Sequence, residues 1–248
     1  MADAVDAVVA RMSTLLDALT AAGDPARHFL GTYLRLTRAI GAALDRGHFE
    51  DPAWVGDWDV VFAELYLDAL DRHRADPATA PAPWRLAFGA DPGLPPEAHV
   101  LLGVNAHVNF DMPQSLIRVV PPEHVEDRHL LDRRRRDHHR VDDVLAAQVA
   151  VEDRALQEAG GRRRLLDRVA TPVNRRAVRV FLTEARRKVW ANTLELHEAR
   201  LRGPEQYAVR VADLETAAAT RVADLLRPGA VLLRLAVRGF GVTLPPPP

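Results

Sequence analysis

The chain has 248 residues, 48% hydrophobic and 27% charged, which is enough apolar side chain for one large domain or two small ones. A formal charge of −1 gives no basic field for nucleic acid, and the lack of cysteine removes disulfides, thiolate metal ligands and a cysteine nucleophile. The opening MADAVDAVVARM has no basic start and no long apolar run, and no stretch reads as a membrane span, so a cytoplasmic protein without a transmembrane segment is expected.

Helical signals begin at once. Val5, Val8, Met12, Leu15, Leu16 and Leu19 recur at helical spacing over 2–22, and Gly23 closes that helix. Asp24-Pro25 is a start signal for a second helix, which buries Phe29, Tyr33, Leu36, Ile40 and Leu44 and ends before Gly47. Asp51-Pro52 repeats the signal for a third, with Trp58, Phe62, Leu65, Tyr66, Ala69 and His73 on one side. Residues 76–96 form a long connection rich in proline, alanine and glycine, in which Trp84 and Phe88, one turn apart, anchor the loop to the core.

The next stretch, VLLGVNAHVNFDMPQSLI at 100–117, reads as the central helix of the core. It is nearly all apolar, yet it carries Asn105, His107, Asn109, Asp111, Gln114 and Ser115. Buried polar groups of this kind must be hydrogen-bonded, metal-bound or turned toward a cavity. On a helix His107 and Asp111 share one face, and Asn105 and Asn109 another. Pro113 cannot donate to the Asn109 carbonyl and disfavours helical backbone at Met112, so the helix is expected to kink or stop there and expose a carbonyl beside the site.

Pro121-Pro122 ends that region. The charged run that follows, with Arg133 to Arg136, reads as a solvated helix face. The same helix continues to Gly160-Gly161 and buries Val141, Val144, Leu145, Gln148 and Val151. It repeats the His/Asp spacing in His138 with Asp142 and in His139 with Asp143. The first pair is preferred for the core side because it flanks Val141 and Leu145, a choice that a shift of one residue would reverse. Thr171-Pro172 is expected to break the chain before a long helix over 173–201 that carries Arg186 and Trp190 one turn apart. Another helix spans 205–226, a short one 230–237, and 241–248 is an irregular proline-rich tail. No alternating strand pattern occurs, so the fold expected is all-α: one domain, 1–248, of about eight helices around the central one.

Several chemistries are poorly supported. There is no GxSxG, no phosphate loop and no pair of ExxH helices. The surviving constellation is histidine and carboxylate on helices. Two His-x-x-x-Asp pairs, His107/Asp111 and His138/Asp142, could supply N and O ligands to zinc, manganese or iron, whose bound water would drive hydrolysis. In that reading His107 and Asp111 are catalytic, and Asn105, Asn109, Arg186 and Trp190 bind a small-molecule substrate. A second reading is a metal-free helical module for a small apolar or amphipathic ligand. A third is a structural network that only specifies helix register.

His107 and Asp111 followed by Met112-Pro113-Gln114 resemble, over fewer than ten residues, the helix of zinc phospholipase C and the single-strand nucleases. A broader resemblance rests on Phe29, Tyr33 and Thr37, Phe49-x-Asp51, Phe62-x-x-x-Tyr66-x-x-Ala69, Trp84 and Phe88, LLGVNAHVNFDMP and Arg186-x-x-x-Trp190-Ala191. Together these are similar to a bacterial domain-of-unknown-function family, number five-nine-nine-five, over most of the chain. That resemblance implies a single all-helical domain and no particular activity.

Overall fold

The computed structural model describes residues 2–158, 165–227, 229 and 239–246, with side chains at 4–145, 147–148, 184–227, 229 and 239–246. The described residues contain no strand and are all-α. Helix α1 spans Ala2–Ala21, α2 Ala26–Asp45 and α3 Pro52–Ala75. Asp24 Oδ1 accepts from the Ala26 amide, and Asp51 Oδ1 from the Trp54 amide, so both Asp-Pro signals act through the carboxylate. The connection after α3 is more ordered than expected: it holds a 3-10 turn, Pro77–Thr79, and a helix α4, Ala82–Phe88.

The central element runs as α5 (Pro96–Ala106), a π turn (His107–Asp111) and α6 (Met112–Val119). The chain therefore neither stops nor leaves the helical region at Pro113. Met112 keeps φ −63 and ψ −45, and its amide donates to the His107 carbonyl. One wide turn upstream takes up the irregularity, as π turns do inside α-helices. Met112 is therefore not forced out of the helical region, and the irregularity expected near Pro113 takes the form of this wide turn.

After α7 (Pro122–Glu126) come α8 (Arg128–Glu158), α9 (Leu165–Arg202) and α10 (Pro204–Leu226). Helix α9 runs through Thr171 and Pro172, where a break was expected; the neighbouring side chains are not described. The expected buried side chain Val151 and the short helix over 230–237 lie outside the described residues. The arginine run splits by direction. Arg134 turns inward over Trp54, while Arg133 and Arg136 reach Asp51 and Glu50 in the α2–α3 connection. Asp137, fully buried, accepts from the amides of Glu50 and Asp51 at 2.8 and 2.7 Å and ties α8 to that connection.

One contiguous apolar cluster joins these elements. Helices α2 and α3 and the α5–α6 element pack around a set of aromatic rings, α4 and α10 close one side, and α6 lies between α3 and α9. Gly103 permits the closest approach: a Cβ there would collide with the Phe29 ring, so α5 meets α2 backbone to ring.

Candidate functional site

His107 is buried inside the aromatic cluster. Phe62 stacks face to face on its imidazole, with centroids 3.6 Å apart, and the Tyr33 ring meets it edge-on at 4.5 Å. Phe29, Trp84 and Tyr66 surround it at 5.7, 5.9 and 6.1 Å. Its Nδ1 lies 2.8 Å from Asp111 Oδ2, and the Trp84 indole N–H donates to the same oxygen at 2.8 Å. The anticipated His107/Asp111 pair is therefore part of a triad with Trp84, brought in from α4. Burial lowers the imidazole's proton affinity, against the opposing pull of Asp111. Burial likewise raises the Asp111 carboxyl, against the donors from His107 and Trp84. A neutral imidazole with its N–H on Nδ1 and a charged Asp111 fits this set.

Among the described residues, four buried polar atoms in and beside the cluster have no well-formed hydrogen bond: His107 Nε2, Tyr66 Oη, Asp59 Oδ2 and Tyr33 Oη, which has only the Thr37 side chain to lean on. Burial, then the charges of Asp59 and Asp111, push the Tyr33 hydroxyl well above the usual phenol range. Burial alone pushes the Asp59 carboxyl up to about 7. Asp59 escaped the sequence reading although its position carried a signal. It precedes Phe62 by three residues and Tyr66 by seven, which puts it on the apolar face of α3.

Asn105 and Asn109 are arranged differently. Asn105 donates to the Leu101 carbonyl at 3.0 Å and accepts from Asn109 at 3.3 Å. Asn109 also donates to the Phe240 carbonyl at 3.2 Å and accepts from the Val242 amide at 3.1 Å. Asn192 on α9 repeats the pattern one step along, donating to the Val242 carbonyl and accepting from the Leu244 amide. Glu184 accepts from the Phe240 amide, and Lys188 donates to the Gly241 carbonyl. The tail is thus held as an extended strap by side chains standing in for a strand partner. Gly241 allows it to lie flat, since a Cβ there would sit 2.8 Å from Ala185 Cα.

Matched against the family models, residues 5–228 fit the one described as "Family of unknown function (DUF5995)". The chain belongs to the DUF5995 family. No curated protein and no solved structure matches it. In this DUF5995 chain nothing supports the local likeness to zinc phospholipase C and the single-strand nucleases. The family match carries the broader resemblance alone.

The metal-dependent hydrolase is overturned, and with it the zinc, manganese or iron cofactor. Among the described residues no group of three or more His, Asp or Glu side chains is placed to hold an ion. The physical reason lies in α8 and α9. His138 is the more buried histidine of α8, as expected, but it does not pair with Asp142. Its ring packs between Trp58 and Trp190, each 5.4 Å away, and burial, then Arg186, drives its pKa well below normal. Asp142 is claimed by Arg186, whose Nε lies 2.6 Å from Oδ1. The guanidinium also donates to the His138 carbonyl, approaches Met112 Sδ and lies over Trp58. A buried cation therefore occupies the place where the second pair was to supply a ligand. His139 faces outward, 4.0 Å from Asp142, and Asp143 is exposed.

No helix among the described residues is long and apolar enough to cross a membrane.

Proposed function

We propose that this protein is a helical binding module for a small amphipathic molecule, held against the His107 ring cluster by the chain's own side chains. The observation that carries this reading is the set of unpartnered buried atoms His107 Nε2, Tyr33 Oη, Tyr66 Oη and Asp59 Oδ2. Each such atom costs about 1–3 kcal/mol when nothing completes its bonding. Elsewhere on the same element Asn105 and Asn109 are completed within the chain. A ligand that supplies the missing bonds and lays an apolar body on the rings accounts for the difference. His107 and Asp111 act here by orientation: Asp111 and Trp84 hold the imidazole so that Nε2 is presented. Asn105, Asn109, Arg186 and Trp190 serve in this reading as the frame around the site.

Two clean variants test it. Tyr66→Phe deletes a hydroxyl with no partner among the described residues and Tyr33→Phe one that leans only on Thr37, so both should fold within about 1 kcal/mol of the parent. Thermal shift against small molecules that join a hydrogen-bonding head to a flat apolar body should give hits on the parent, with the shift abolished in the combined variant. Hits that persist undiminished in the variant, or a broad set with no hit at all, would sink the binding reading.

A further inference from the structure

The unpartnered atoms are not chemically neutral in their preferences. With the His107 N–H committed to Asp111, Nε2 offers only a lone pair. Ionised Asp59 offers only acceptors, and no described cation reaches it. The other buried carboxylates are provided for: Asp111 by His107 and Trp84, Asp137 by two amides and Arg140, and Asp224 by Arg227. The half-buried Asp142 has Arg186. Among the described buried carboxylates, Asp59 alone has neither donor nor counter-charge. The two phenol hydroxyls can act as acceptors as well, and the Tyr33 ring meets Phe62 edge-on, 5.9 Å between centroids.

We infer that the ligand is a protonated primary or secondary amine with a small apolar body, whose ammonium hydrogens serve Asp59, Tyr33 and His107 Nε2 while Phe62 and the neighbouring rings take the apolar part. This inference rests on the binding reading above. It adds that the head group must bring both positive charge and N–H donors, because the free side of the site is acceptor-rich. Aromatic rings near a desolvated cation strengthen the same choice.

Three probes of matched shape separate the parts: 2-phenylethylammonium, the neutral 2-phenylethanol, and benzyltrimethylammonium, which is charged but has no N–H. Affinities are read by calorimetry or ligand-observed NMR on the parent and on Asp59→Asn, an isosteric change at a group without partners among the described residues. The primary amine should bind about tenfold or more tightly than either other probe, and Asp59→Asn should bring it down to the alcohol's level while leaving the alcohol unchanged. A quaternary probe that binds as well as the primary amine overturns the donor matching. An amine no tighter than the alcohol, with both lost in the Tyr33→Phe, Tyr66→Phe variant, overturns the amine inference and leaves the binding module standing. Failure of all three probes overturns the amine inference, while the wider screen decides the module separately.

Discussion

Asn109 and His107 stand two residues apart on one π turn, yet they belong to opposite kinds of polar environment. Asn109 spends both ends of its amide on Asn105 and on the backbone of the C-terminal strap. His107 spends one nitrogen on Asp111 and leaves the other unpaired in an aromatic box. The first arrangement is closed and stabilises the fold. The second is open and burdens it. A helix that carries both shows that burial of polar groups is not by itself a sign of function. The informative quantity is whether the bonding is complete.

The largest expected effect lies on the closed side. Asn109→Leu orphans the Phe240 carbonyl and the Val242 amide and removes the contact to Asn105. We expect a loss of about 3–5 kcal/mol in denaturant unfolding, with the strap amides becoming open to hydrogen exchange. A loss under about 1 kcal/mol would mean that the strap contributes little and that the contrast with His107 is overdrawn.

On the open side, Asp59 should make stability depend on pH. Its folded carboxyl titrates at about 7, against about 3.9 in an unfolded chain. Between these values the folded protein keeps a proton that the unfolded chain has released. Stability attributable to Asp59 therefore falls as pH rises from about 4 to about 7 and is level above that. Asp59→Asn should abolish this slope and be more stable than the parent at pH 8, by up to about 4 kcal/mol. If parent and variant have parallel pH profiles, Asp59 has a partner and the open set shrinks by one.

The smallest effect concerns the triad. Each single replacement of His107 or Asp111 by Leu should cost about 1–3 kcal/mol by leaving a buried group unpaired. The paired replacement His107→Leu with Asp111→Leu should not return to parent stability, because the Trp84 N–H then loses its acceptor. A double-mutant cycle read by unfolding checks this. Full recovery in the double variant would show that the Trp84 bond contributes nothing and that the pair stands alone.

Much of the helical frame was legible from local rules. The Asp-Pro starts, the apolar periodicity and the glycine stops at Gly23 and Gly47 each depend on residues within a turn of one another. The central polar stretch could be recognised for the same reason, as could the greater burial of His138 over His139. The response to Pro113 could not. A missing N–H permits a stop, a kink or a wide turn, and nothing within a turn of Pro113 chooses among them.

Partner choice was also beyond the sequence. His138 and Asp142 have ligand spacing, but Arg186, 44 or more positions away, takes the carboxylate. Asp111 acquires a third member from a segment that reads as a loop, and Asn109 is completed by a tail far along the chain. What the amino-acid order alone determined is the set of helices and the fact that polar groups must be buried on one of them. Which of those groups are satisfied, and which are left for something outside the chain, is set by distant side chains that only the tertiary structure brings within hydrogen-bonding range.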